Sequence, residues 1–220
     1  MRLPQNSFIP PAFFGNYFCL IPNTNLAFVV ISKNAVTFLK KVAYYNSTGK
    51  WEENFLQAHH LIGYTEKSSF LIPIAKMPEY EKENGKRVKF AIWRDPMERV
   101  LSTYKLFCLE KEFRTYFHFT GLFHDNSFDF FMKFMEFEWS KKYGETQDEH
   151  IRRQIDYYDA VDVDYIVPIG KMHGFLIDHN VQFIKELSNR TTVSFELSNK
   201  QYIQRIYDYY QEDYNIRCNY

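Results

Sequence analysis

Short uninterrupted apolar runs alternate along the chain with stretches in which apolar residues return every three or four positions. The first pattern predicts strands covered on both faces, the second helices with one buried face. Residues 26–31 (LAFVVI) and 88–93 (VKFAIW) are the two clearest strands. Each runs into a helical pattern. After the first, Val36, Leu39, Val42 and Ala43 form one apolar face, with Lys40 and Lys41 read as pointing away from it. After the second, Asp95 suits a helix N-cap, Pro96 the first helical position, and Glu98 completes a capping box; Val100, Leu101 and Tyr104 then recur at helical spacing. Further helices are predicted over 128–142, over 174–189 and from about Asn199, with a strand over 191–197. Residues 55–64 (FLQAHHLIGY) read as a strand, residues 78–87 as a charged loop, and residues 1–25, with four of the eight prolines, as an irregular arm. Strands alternating with helices predict a single α/β domain over residues 1–220, with three layers around a central parallel sheet.

Composition narrows the class without naming a function. In 220 residues, 22 Phe and 17 Tyr supply a substantial core. Lys+Arg and Asp+Glu are 27 each, so no overall charge draws the chain to nucleic acid or an anionic membrane, and any anion site must be local. Cys19, Cys108 and Cys218 are widely spaced and odd in number, which favours a reducing compartment over a disulfide framework. No run reaches the roughly 18–20 apolar residues that span a bilayer, and the apolar N-terminal stretch makes a poor signal peptide. The expectation is a cytoplasmic protein without stable membrane insertion. Nothing in the sequence fixes its oligomeric state.

Both strand–helix junctions carry cations. Arg94 lies where the second strand meets a helix N-terminus, whose amides and dipole favour an anion, and Ser102 adds a hydroxyl two turns on. Lys33, in Ser32-Lys33-Asn34, occupies the equivalent place after the first strand. Neither junction has the glycines or the Gly-Lys-Ser/Thr of a Walker A loop. His118 and His124 lack companions at ligand spacing, so no metal is expected.

The spacing R-D-P-x-E-R-x-x-S-x-Y over residues 94–104 resembles the 3′-phosphate motif of sulfotransferases, in the branch that contains the carbohydrate sulfotransferases. ISKNAVTFLKK resembles that family's 5′-phosphosulfate loop at Lys33, Ala35 and Thr37, departing at Ser32 and Phe38. A third stretch, 148–175, resembles the family's H-x-x-x-Q element at His150 and Gln154, followed by Ile169-Gly170-Lys171. The resemblance implies a P-loop-NTPase-like sulfotransferase fold. It implies 3′-phosphoadenosine 5′-phosphosulfate as donor, no metal, and a hydroxyl acceptor on a sugar. By the same resemblance Lys33 and Thr37, with the amides of Asn34, Ala35, Val36 and Phe38, hold the 5′-phosphate. Arg94 and Ser102 hold the 3′-phosphate, and Lys200 lies in the loop that closes over the nucleotide. A histidine ahead of an apolar run acts as base in heparan-sulfate-type relatives. His60 fits that context slightly better than His59, and His150 is a further candidate. The aromatic residues 111–127 are a candidate acceptor lid. A nucleotide or small-molecule kinase, or a non-catalytic nucleotide-binding protein of the same fold, are the alternatives.

Overall fold

A computed structural model of the chain describes residues 16–63, 68–110, 126–158, 161–185 and 195–220. They fall into two compact units: a sheet unit that runs to Arg94 and resumes at Gln154 and again at Ile216, and a helical unit from Asp95 to Arg153 that resumes after it and ends at Asn215.

The sheet unit holds five strands, β1 (Tyr17–Leu20), β2 (Leu26–Val29), β3 (Leu71–Pro73), β4 (Val88–Trp93) and β5 (Tyr165–Pro168), in the order β3-β1-β2-β4-β5. β2, β4 and β5 are parallel, and β1 and β3 join antiparallel on one side, so the sheet is mixed. Alternate residues of the strands enter two separate cores. Cys19, Leu26, Phe28, Phe90, Ile92 and Val167 pack under α1 (Val36–Thr48), α2 (Phe55–Ile62) and α7 (Met172–Asp178). Phe18, Leu20, Ala27, Val29 and Ala91 pack with Met77 and Tyr80 of α3 (Met77–Asn84) and with Tyr157 and Tyr158 of the short α6 (Ile155–Tyr158). Both faces are thus covered, as the continuous apolar runs predict. Burial pushes the Cys19 thiol up to about 12 against the opposing pull of the Lys40 charge, which marks it as a core residue and not a nucleophile.

The helical unit contains α4 (Pro96–Tyr104), α5 (Phe128–Trp139), α8 (Lys200–Tyr209) and α9 (Gln211–Tyr214). Asp95 caps α4 by accepting from the Glu98 N–H at 2.9 Å; Ser127 and Asn199 do the same for α5 and α8. Val100, Tyr104, Phe107, Phe131, Met135, Ile206 and Tyr210 form its core. Arg99 is 1% exposed and donates to the Arg152 and Glu149 carbonyls at 2.7 and 2.9 Å.

Several elements differ from the sequence expectation. The N-terminal arm contributes β1. Residues 77–84 are helical, with Met77 and Tyr80 packed into the core of the sheet unit. Phe55–Ile62, read as part of a strand, is helix α2, capped by Asn54. α7 stops at Asp178, and residues 195–197 are not strand; residues 186–194, like the expected lid over 111–125, lie outside the described residues. Lys40 and Lys41, read as solvent-facing, are only 3% and 1% exposed. Lys41 Nζ donates to the Glu53 carbonyl at 2.8 Å and Lys40 Nζ to the Gly63 carbonyl at 3.0 Å, so α1 grips α2 at both ends.

Candidate functional site

The site builds from the loop between β2 and α1. Two of its residues sit in the left-handed region without being glycine, Lys33 at φ 68° and Ala35 at φ 60°. Each such residue costs roughly 1–3 kcal/mol and persists only where the surroundings hold it. Ala35 occupies the N-cap of α1, yet it has no side-chain acceptor, and no acidic residue stands in the first turn. The 13-residue α1 therefore presents its N-terminal amides without the usual capping oxygen. A turned backbone of this kind, at a helix start beside a lysine, suits an anion.

Arg94 comes to the same loop from the end of β4. Its Nη1 donates to the Lys33 carbonyl at 3.0 Å. Asn34, 2% exposed, donates through Nδ2 to the Ile92 carbonyl at 2.6 Å and to Gln154 Oε1 at 2.5 Å. Gln154 Oε1 also accepts from the Arg94 N–H at 3.0 Å, and Gln154 Nε2 donates to the Arg94 carbonyl at 2.8 Å. Tyr158 donates to the Ile92 carbonyl at 3.0 Å from the other side. The Lys33 loop and the Arg94 turn are thus joined by direct bonds. Gln154 stands out in the sequence only as the last residue of H-x-x-x-Q; nothing there assigns it a task.

Thr37, in the first turn of α1, meets His59: Oγ1 and Nε2 are 3.0 Å apart. By the family resemblance the sequence favours His60, with His59 as the reserve. In helix α2 the two histidines are about 100° apart, and the one at Thr37 is His59, while His60 is exposed. Phe38 directs its ring into an aromatic cluster with Trp51, His173 and Phe183, at centroid distances of 6.0, 5.1 and 5.9 Å. The large ring at a position where the family motif has a small polar residue is accounted for by that packing. Burial, with the Lys185 charge, holds the His173 imidazole below its usual range.

Ser102, His150 and Lys200 belong to the helical unit. Ser102 is half-buried on α4, and Lys200 is exposed as the first residue of α8. His150 Nδ1 lies 2.9 Å from Asp148 Oδ1, which also accepts the His150 N–H at 2.8 Å, and the imidazole meets the Phe107 ring edge-on. Burial pushes the Asp148 carboxyl up, but the His150 charge and the two His150 hydrogen bonds outweigh it and hold the carboxyl below its usual range. A depressed folded value contributes stability above the unfolded value of about 3.9, lost as pH falls through the lower folded value. Asp148→Asn should lower the melting temperature by about 2–4 °C near neutrality, the effect of roughly 1 kcal/mol in a chain this long. That gap should close below about pH 4 in melts run across the acid range.

Among the described residues no group of three or more His, Cys, Asp or Glu could hold a metal ion, and no helix is long and apolar enough to cross a membrane. No curated protein and no solved structure matches the chain at a significant level. A family model does: the one described as the sulfotransferase family matches residues 16–216, which takes in both strand–helix junctions and the Gln154 tie. With that match over most of its length, the chain belongs to the sulfotransferase family.

Proposed function

We propose that the protein transfers a sulfuryl group from 3′-phosphoadenosine 5′-phosphosulfate to a hydroxyl on a sugar, in the cytoplasm. The observation that carries the reading is the Lys33 loop, left-handed at two residues, opening α1 and hydrogen-bonded to Arg94. The residues present fit the donor nucleotide: an uncapped helix start with a lysine for one phosphate, and a guanidinium 3.0 Å from the same loop for a second. The sugar rests on the likeness of residues 94–104 to the carbohydrate branch. The cytoplasm rests on cysteines that are widely spaced and odd in number, as a reducing compartment favours.

When bound, the nucleotide supplies the activated sulfuryl group. Lys33 and the first amides of α1, with Thr37, hold the 5′-phosphate; Arg94 holds the 3′-phosphate. A Thr37 hydroxyl that donates to phosphate accepts from His59 Nε2–H. In a neutral imidazole that leaves Nδ1 as the basic nitrogen. His59 then takes the acceptor proton while Lys33 neutralises charge gathering on the leaving phosphate.

A labelled-sulfate transfer screen against glycans, lipids and phenols tests the activity; transfer to phenols alone would overturn the sugar assignment. The nucleotide is tested separately. The protein should bind adenosine 3′,5′-bisphosphate far better than adenosine 5′-phosphate. Arg94→Ala should cost on the order of 2–3 kcal/mol, roughly 30- to 150-fold, measured by calorimetry. Equal affinity for the two nucleotides would sink the reading.

A further inference from the structure

Gln154 is 0% exposed and sits beside the first residue past the end of strand pairing. The β4–β5 register closes at Trp93 opposite Pro168, so the N–H and C=O of Arg94 have no neighbouring strand to meet. The Gln154 amide meets both, donating to one and accepting from the other, as a strand residue would. The device recurs at Asn219, whose side-chain amide accepts from the Ile166 N–H at 2.7 Å and donates to the Asp164 carbonyl at 2.9 Å. At Gln154 it does more, because Oε1 also takes the Asn34 amide. The orientation of both amides follows. The Arg94 and Ile92 carbonyls can only accept, so Gln154 Nε2 and Asn34 Nδ2 must be the groups that face them.

We infer that Gln154 is a positioning residue that locks Arg94 and the Lys33 loop into one anion-binding arrangement. The inference rests on the nucleotide reading above. Only a neutral amide of this length serves all three partners. An ionised carboxylate would set oxygen against the Arg94 carbonyl and add negative charge beside a phosphate site. An apolar side chain would leave the Arg94 N–H, the Arg94 carbonyl and the Asn34 amide short of a partner in a buried place. Without the tie, the left-handed Lys33 and Ala35 lose one of the contacts that hold their backbone, and Arg94 loses its fixed departure from the sheet.

The test uses the full chain, adenosine 3′,5′-bisphosphate as probe, and Gln154→Leu and Gln154→Glu. Gln154→Leu should weaken binding by roughly tenfold or more, since a buried hydrogen-bonding set is lost. Gln154→Glu should show a similar deficit at pH 8 that shrinks as pH falls toward about 5.5, each value taken relative to wild type at the same pH. A protonated carboxyl restores one donor and one acceptor of the amide, and burial raises the pH at which it protonates. A side chain that only filled space would leave Gln154→Leu with wild-type affinity. Wild-type affinities retained in both variants, or a Gln154→Glu deficit that does not change with pH, would overturn the inference. Should the variants not fold, NMR-detected hydrogen exchange on the wild type decides. The Arg94 amide should be protected like those of β4, and exchange at the rate of an open loop would refute the pairing. Equal wild-type affinity for the bisphosphate and adenosine 5′-phosphate would instead refute the nucleotide reading, leaving the exchange result to judge the pairing by itself.

Discussion

His59→Ala should slow sulfuryl transfer by roughly 10²- to 10⁴-fold at saturating donor and acceptor, the usual cost of a lost general base, while nucleotide affinity stays nearly intact. The placement of His59 motivates this. Helix α2 starts at an Asn54 cap and is held at both ends by buried lysines of α1, so the imidazole is delivered to Thr37 by a braced element and not by a loop. His60, one residue on, is exposed, and His60→Ala should turn over normally. His150 has Asp148 as its partner in the helical unit, and His150→Ala should also keep its turnover number. His59→Gln separates two roles for the side chain. The glutamine amide can still donate to Thr37 but cannot take a proton, so it should remain as slow as the alanine variant. Recovery in His59→Gln would mean that His59 only holds Thr37. A large loss at His60 or His150, with a normal rate at His59, would move the base. Single-turnover rates for the four variants decide among these outcomes.

Lys33→Ala should lower turnover by about 10²- to 10³-fold but weaken binding of adenosine 3′,5′-bisphosphate by only about tenfold. Charge placed where the leaving phosphate becomes more negative is worth more in the transition state than in the ground state. The substitution is clean in one respect. Lys33 is left-handed, at φ 68°, and alanine carries the same Cβ, so the backbone strain is unchanged and the comparison reports the ammonium. Lys33→Arg keeps the charge but replaces a compact ammonium by a planar fork, and should recover binding better than rate. Parallel calorimetry and turnover measurements check this. Equal losses in the two, or a loss of affinity alone, would make Lys33 a binding residue and remove it from the chemistry.

The parts of the molecule that could be read from the sequence are those where local chemistry and burial agree. Val88–Trp93 is apolar because both faces of β4 are covered, and Asp95-Pro96 marks the helix start because one residue caps and the other cannot extend the strand. The two cationic junctions follow from those boundaries. Where long-range partners decide, the sequence is silent or misleading. Lys40 and Lys41 carry charge, yet their ammonium groups reach carbonyls at the two ends of a helix no periodicity could place. The segment FLQAHHLI (55–62) fits strand or helix equally, and only packing on α1 makes it α2, with His59 at Thr37. Gln154 lies 60 positions from Arg94, and its amide acts as a missing strand only because β5 ends where it does.

The Gln154–Arg94 pair also bears on how such a chain can be cut and rejoined. Everything from Asp95 to Arg153 leaves the sheet unit at Arg94 and returns at Gln154, and those two residues are hydrogen-bonded to each other. The excursion therefore has the form of an insertion whose entry and exit share one doorway. Its ends are held together by the host, so its length adds little to the entropy of closing it, which rises only with the logarithm of the number of residues. Large changes of length between these two residues are thus cheap for the sheet unit, and this junction is where grafting a foreign helical segment would disturb the strands least.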